Sequence, residues 1–328
     1  ARCRSRCSGR RCRPGSAAGV LALPQVDAWH DSGVVVSQVR AEGNREGIRT
    51  YGSSLEIVDS DFCDNSRGGL YLGNGSSVII DGEEIRASGN GSFGLLLSEA
   101  ALRSPWPTGG RLVTNDNPFA GVVLQGGAAL LMGGPLEAKR NGAGVRVIEG
   151  RLSATYGLDA SDCNIGVLAA GPNADVDVAS LAGGADASVA GNTVDLYAGE
   201  GGYISFNGIL TGNTGAAVIA EGAGRVALSS TDCQGNGSGL NVHGGTASIQ
   251  ESTIAGNTNG DVDLSFGARA TFDGTNVVGV VVCDGTVLVE GDVTCPETKG
   301  ETASPSLMER VGLPGLLSSD FPASEWIP

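Results

Sequence analysis

The sequence predicts an all-β solenoid, a rod of stacked coils each built from short strands. Three observations predict it. An Asn-led unit recurs along the chain. The apolar residues fall in short runs with a period of two. The composition is that of a strand-and-turn protein: Gly makes up 54 of 328 residues, aromatics are 5%, and no Gly-X-Y period occurs, which excludes collagen.

The recurrent unit is an Asn followed by a Gly and then an apolar strand. It reads NREGI from Asn44, NSRGGLYL from Asn65, NGSFGLLL from Asn90, NPFAGVVL from Asn117 and NGAGVRV from Asn141. It continues as NIGVLAA from Asn164, NTVDLY from Asn192, NTGAAVI from Asn213, NGSGLNV from Asn236 and NTNGDVDL from Asn257. Only the unit at Asn192 lacks its Gly. Successive spacings are 21, 25, 27, 24, 23, 28, 21, 23 and 21 residues. A strand-built repeat of this length, with no helical side, is one coil of a solenoid. A single coil cannot bury its own apolar face, but stacked coils can. The Asn side chains are then expected to stack at one corner, donating and accepting along the rod, with Asn itself supplying the left-handed turn.

Within most units a strand such as Leu70–Leu72 leads through a Gly-rich turn to a second strand such as Val78–Ile80. One more apolar position follows ahead of the next Asn, as at Phe62, Ile85 or Ile254. Leu55 and Ile57 flank Glu56, which is strand alternation and not a helical stripe. The leucine-rich-repeat pattern and the calcium-binding nonapeptide are both absent.

The ends break the pattern. Residues 1–13 form an Arg/Cys-rich low-complexity arm, and residues 14–43 an N-terminal cap in which Gly33–Val39 is expected to pair onto the first coil. The repeat itself fills residues 44–295. Residues 296–328 read as a C-terminal cap or tail, since an exposed solenoid end needs covering.

The net charge is −15, and residues 1–13 hold six Arg and no acid, which leaves 15 basic against 36 acidic groups in the rest. A body this acidic repels nucleic acid. No run reaches the roughly 18 apolar residues of a membrane-spanning helix. No long apolar stretch follows the basic start, so a signal peptide is not visible in this chain. The eight Cys are too sparse for a disulfide scaffold, and no C-x-x-C occurs. Cys233 lies in the apolar slot three residues before Asn236, and Cys163 is expected to fill the same slot in a shortened turn. Cys283 and Cys295 flank the last coil and are expected to form a disulfide.

The ten Asn-led units, nine of them with the Gly, resemble the right-handed parallel β-helix proteins of the pectin-lyase-like superfamily over residues 40–295. The resemblance implies a right-handed parallel β-helix of about 10–11 coils and a secreted or cell-surface location. Enzymes of the class work on acidic polysaccharide. They use clustered Asp to hold Ca2+ with an Arg as base, or paired Asp for acid/base work, or a Tyr/His/Asp set; many other members have no known activity.

Candidate residues follow from those demands. Asp59, Asp61 and Asp64 share one turn and are candidates for catalysis or for holding Ca2+ with backbone carbonyls. The alternative is a solvated acidic turn. Arg49 and Arg67 come near them in coil order, as substrate clamps or as surface ion pairs. No other cofactor is expected. Asp175/Asp177 and Asp261/Asp263 alternate along strands and are expected to face outward. His243 is expected at a turn without a partner. Trp29, Trp106 and Trp326 are not expected to form a stacking platform.

Two function classes result. One is a non-catalytic rod for structure, adhesion or carbohydrate contact, which expects small and polar outward faces. The other is a lyase, glycoside hydrolase or epimerase acting on acidic polysaccharide, which expects one groove of convergent Asp, Arg, His or Tyr. The expected partners are a polysaccharide or a cell-surface molecule; no oligomer seam is visible.

Overall fold

The computed structural model describes residues 21–22, 26–29, 33–105, 109–179, 187–284, 286–291, 293 and 298–299. These residues are all strand, turn and connection, coiled into a parallel β-solenoid of about eleven turns. Each turn gives one strand to a 13-stranded sheet, called sheet 1 here. It then runs into a 22-stranded second sheet, sheet 2, which most coils cross with two successive strands.

The stacking is in register. Leu70, Leu95, Val122, Val145, Val167, Leu196, Val218, Leu240 and Val262 follow one another up sheet 1. Val78, Leu102, Leu130, Leu152, Val176, Ile204 and Val226 form the matching column in sheet 2. These columns face each other across one continuous core. Burying each such side chain contributes about 1.5–3 kcal/mol, so the period-two pattern fixes which residues point inward. The coil register starts ahead of Asn44: Val26–Trp29 pairs with Ile48–Tyr51, and Gly33–Ser37 pairs with Ser54–Val58.

The corner before sheet 1 carries the expected Asn stack. The backbone N–H of Asn65 donates to Oδ1 of Asn90 at 3.0 Å, and its side-chain amide donates to the same oxygen at 3.2 Å. Asn90 repeats this with Asn117, and Asn117 with Asn141. Asn213 and Asn236 repeat it further on, ending on Asn257. The left-handed residue is not the Asn but the one before it. Asp64, Asp116, Arg140 and Asp162 take φ of 55°, 59°, 53° and 58°, and Gly43, Gly89, Gly191, Gly212, Gly235 and Gly256 fill the other coils. The Asn side chain is tied into the ladder, so its neighbour makes the bend, and Gly or Asp tolerates it best.

Cys163 departs from expectation. It does not fill the apolar slot; Ala160, three residues earlier and fully buried, does. Cys163 takes the Asn place itself. Asn141 donates its backbone N–H to Cys163 Sγ at 3.4 Å, and the Cys163 N–H donates to Asn192 Oδ1 at 2.6 Å. Asn164 lies outside the corner, exposed. Cys233 does occupy the buried apolar slot. Cys283 is disulfide-bonded; Cys295, its expected partner, lies outside the described residues, as do His30, Trp106 and Trp326.

Two further expectations are corrected. Asp261 does not face outward with Asp263: it turns into the ladder corner, accepts from the Asn257 N–H and side-chain amide at 2.9 Å, and takes the Val280 N–H on its other oxygen. It closes the Asn ladder where no further Asn follows. The outer face of sheet 1 is not small and polar. Its outward side chains form two buried apolar clusters separate from the central core, one around Tyr71, Leu96 and Val123 and one around Leu168, Tyr197 and Ile219. A strand buried on both faces reads as a continuous apolar run, and GLLL, GVVL and AAVIA are such runs.

Candidate functional site

The sequence candidates belong to neighbouring coils near the N-terminal end of the rod, but their side chains have separate roles. Asp59 sits at a bulge in the strand Ser54–Asp61, where the register with the next coil shifts, with φ of 43°. Its Oδ1 accepts the Glu83 N–H at 2.6 Å and the Glu84 N–H at 3.4 Å. The bulge frees those two amides from the ladder, and Asp59 satisfies them. Gly82 must be Gly here: its φ is 87°, and a Cβ would lie 2.4 Å from Asp59 Oδ1. Asp61 lies in sheet 2, in register between Arg40 and Arg86 of the flanking coils. Asp64 is the left-handed corner residue before Asn65. Among the described residues, no group of three or more His, Cys, Asp or Glu is placed to hold a metal ion.

The two Arg go elsewhere. Arg67 is 3.6 Å from the buried carboxylate of Glu46. Arg49 stands on the outer face of sheet 1. Its Nε donates to the Tyr51 hydroxyl at 2.6 Å, and its guanidinium lies 4.9 Å from the Tyr51 ring and 5.8 Å from that of Tyr71. Trp29 stacks on Tyr51 with centroids 4.7 Å apart, and Tyr51 meets Tyr71 at 5.4 Å. Burial, and then the neighbouring Tyr51, push the Tyr71 hydroxyl well above the usual tyrosine range, so it stays protonated.

This aromatic row with its Arg is the feature that sequence reasoning missed. Trp29 is no isolated end residue; it pairs in register with Tyr51. The signal was present: Trp29 and Tyr51 are 22 residues apart, one coil. Trp29 is 42% exposed, while Tyr51 and Tyr71 are buried. The arrangement is a partly exposed indole on an aromatic stack beside a cation, a kind of surface suited to an apolar ring face or a sugar.

Elsewhere charged side chains are cross-linked between coils. Arg111 bridges Glu84 and Glu137, Lys139 meets Asp159 at 2.5 Å, and Arg140 holds Asp116 in a two-point pair at 2.7 and 2.8 Å. The Arg140 bond holds the Asp116 carboxyl below the usual carboxylate range. Asp175 lies 3.6 Å from Arg151. His243 is not alone at its turn: its ring meets Phe266 edge-on at 4.4 Å.

The Asp195 side chain is fully buried. Asp195 occupies the position that is Gly in most sheet 1 strands, facing the Asn corner. It accepts from the side-chain amides of Asn192, at 2.7 Å, and Asn213. Burial raises its pKa well above the usual carboxylate value, and the two amide bonds oppose that only in part. A raised folded-state pKa makes the protonated form the one that folding favours. The contribution of Asp195 to stability is then full below about pH 4, the unfolded value, and is lost as pH rises through the folded one. Denaturant titrations of the parent and Asp195→Gly across pH 3–8 are expected to differ most in the parent's favour at the acid end. A pH-independent difference would contradict this.

Comparison with protein-family models, with curated proteins and with solved structures gave no match. The fold stands on its own geometry.

Proposed function

We propose that this chain is a non-catalytic rod of the pectin-lyase-like class, secreted or displayed at a cell surface, that contacts carbohydrate through the aromatic end of sheet 1. The observation that carries the reading is the disposition of the candidate groups. Asp59 is held by backbone amides, Arg49 by Tyr51 and Arg67 by Glu46. Acid/base work on a glycosidic bond needs two carboxyl groups flanking one sugar, or a base beside a metal, and these residues are committed to separate structural bonds. The Trp29 indole, 42% exposed and stacked on Tyr51 beside Arg49, supports the carbohydrate part of the reading, since a sugar ring packs on an aromatic face.

Two measurements test this. Incubation with pectate and with alginate, with and without Ca2+, is expected to give neither unsaturated uronide absorbance nor new reducing ends. Turnover that Asp59→Ala or Asp61→Ala abolishes would establish the enzyme reading instead. On an array of neutral and acidic glycans the parent is expected to be retained, and Trp29→Ala to weaken retention about tenfold through loss of the stacking contact. Equal retention of the two proteins would remove the aromatic row from the reading.

A further inference from the structure

Six Asn–Gly pairs stand in the sequence: Asn74–Gly75, Asn90–Gly91, Asn141–Gly142, Asn207–Gly208, Asn236–Gly237 and Asn259–Gly260. An Asn–Gly bond carries a reaction of its own. The Gly nitrogen can attack the Asn side-chain carbonyl carbon, since a Gly without Cβ lets the backbone turn toward it. That path needs a mobile Asn side chain and a peptide group free to rotate, so the fold decides which pairs can follow it.

The fold holds most of them. Asn90, Asn141 and Asn236 are ladder residues, only 1%, 5% and 1% exposed. The N–H groups of Gly91, Gly142 and Gly237 donate to the carbonyls of Asn65, Asn117 and Asn213 in the preceding coil. Asn74 is exposed, but the Gly75 N–H donates to the Glu99 carbonyl of the next coil at 2.6 Å. Gly208 is buried at the head of the strand Gly208–Thr211, in register with Ala187.

Asn259–Gly260 differs at each point. Asn259 is exposed. Neither end of the peptide group that joins the pair, the Asn259 carbonyl or the Gly260 N–H, bonds to a neighbouring coil. Gly260 has φ of 124°, and a Cβ on it would meet nothing within 4 Å, so this peptide group has room to swing. The atoms on either side are pinned: the Asn259 N–H donates to the Gly237 carbonyl at 2.7 Å, and the Gly260 carbonyl accepts the Gly239 N–H at 3.1 Å. The next residue is Asp261, which closes the Asn ladder.

We propose that Asn259 is a self-modification site, where the bond to Gly260 closes to a succinimide and opens to aspartate and isoaspartate while the other Asn–Gly pairs persist. The Gly260 nitrogen gives up its proton and bonds to Asn259 Cγ. The side-chain amide leaves as ammonia and carries the proton away. Water then adds across one of the imide C–N bonds. Opening at one gives aspartate; opening at the other gives isoaspartate, whose main chain is longer by a carbon. Nothing is oxidised or reduced. Either product places a new carboxylate close to Asp261. The longer main chain also strains the turn between Asn257 and Asp261, so the modification loosens the last step of the ladder and leaves distant coils unchanged.

The folded full chain, held at mildly alkaline pH and then mapped by peptide digestion and isoaspartyl methyltransferase labelling, tests this. Isoaspartate is expected at Asn259 about tenfold faster than at any other Asn–Gly pair, a barrier difference of about 1.4 kcal/mol, because the held pairs react only through local opening. In the chain unfolded by denaturant all the pairs are expected to react at similar rates. Faster reaction at another pair in the folded chain, no product at Asn259, or the same preference in the unfolded chain would overturn the proposal. Asn259→Gln is expected to keep the fold and to abolish the product, since its longer side chain closes the ring slowly. Hydrogen exchange at the Asn257 and Val280 amides, which bond Asp261, is expected to quicken several-fold in the aged parent and not in the aged variant. Equal exchange in the two would overturn the loosening of the ladder.

Discussion

Asn117→Ala is expected to destabilise the rod by about 3–5 kcal/mol. Asn117 is fully buried at the centre of the ladder. Its Oδ1 accepts the backbone N–H of Asn90 at 3.0 Å and the Asn90 side-chain amide at 3.2 Å. Its own amide donates to the carbonyls of Thr114 and Asn115 at 2.9 and 3.0 Å, and to Asn141 Oδ1 at 3.2 Å. Truncation strips the acceptor from two donors that have no route to water. An orphaned buried donor costs about 1–3 kcal/mol, and the carbonyls that bonded Asn117 lose a partner as well. Stability in a stacked-coil protein is a sum of local and nearest-neighbour contributions. Hydrogen exchange should therefore quicken first in the coils of Asn90 and Asn141, with the ends of the rod unchanged. A midpoint shift equivalent to less than about 1 kcal/mol would show that the ladder is not what holds this corner.

Cys163→Asn is expected to act in the opposite direction, stabilising by about 1–3 kcal/mol. Cys163 stands where the ladder calls for Asn, and the consequence is visible one coil away. The Asn141 side-chain amide nitrogen is buried with no hydrogen-bond partner, although its counterparts on Asn65, Asn90, Asn117, Asn213 and Asn236 all donate to the next Asn. A thiol offers a weak acceptor on a short arm, and Cys163 Sγ receives the Asn141 backbone N–H but not its side-chain amide. An Asn at 163 would place Oδ1 within reach of both Asn141 donors, and its amide could bond the carbonyl of Ala138 that the thiol now meets at 3.3 Å. Burial pushes the Cys163 thiol up to about 11, so it is protonated and inert near neutral pH, and replacing it removes no reactive group. Cys163→Ala is the control. It lacks any acceptor and should destabilise, so the order Asn above Cys above Ala in denaturant midpoint is the expected result. Asn equal to or below Cys would mean that the corner at residue 163 cannot seat the larger side chain.

The same corner shows where sequence reading reached its limit. The unit NIGVLAA points to Asn164 as the ladder residue, and the adjacent Cys163 holds the place instead. Ladder residues stand either four or five positions before the first inward residue of sheet 1: five for Asn117 and Val122, four for Asn141 and Val145. Cys163 stands four before Val167 and Asn164 only three, so the spacing already favours Cys163, and residue type alone points to Asn164. The backbone path agrees, with Asp162 at φ 58° making the bend just before Cys163. The candidate site shows a similar limit. Asp59, Asp61 and Asp64 are close in sequence, but a bulge, a ladder position and a corner send them to three tasks. Arg49, grouped with them by coil order, stands on another face beside Tyr51.

What the sequence by itself determined is the solenoid. Repeat length, period-two alternation and the Asn that marks each corner are local or strictly periodic signals, and each recurs about ten times, so one irregular coil does not obscure them. The tertiary structure alone decided what covers each face and which polar groups meet. The outward Leu96 and Ile219 are buried in clusters of their own outside the central core, and no periodicity encodes that. The Trp29–Tyr51–Tyr71 row likewise exists only because three coils stack in one register. Hydrophobic burial is summed over the whole repeat and is legible in its pattern; a hydrogen bond or a ring stack depends on the placement of single atoms, which is fixed only when the coils close on one another.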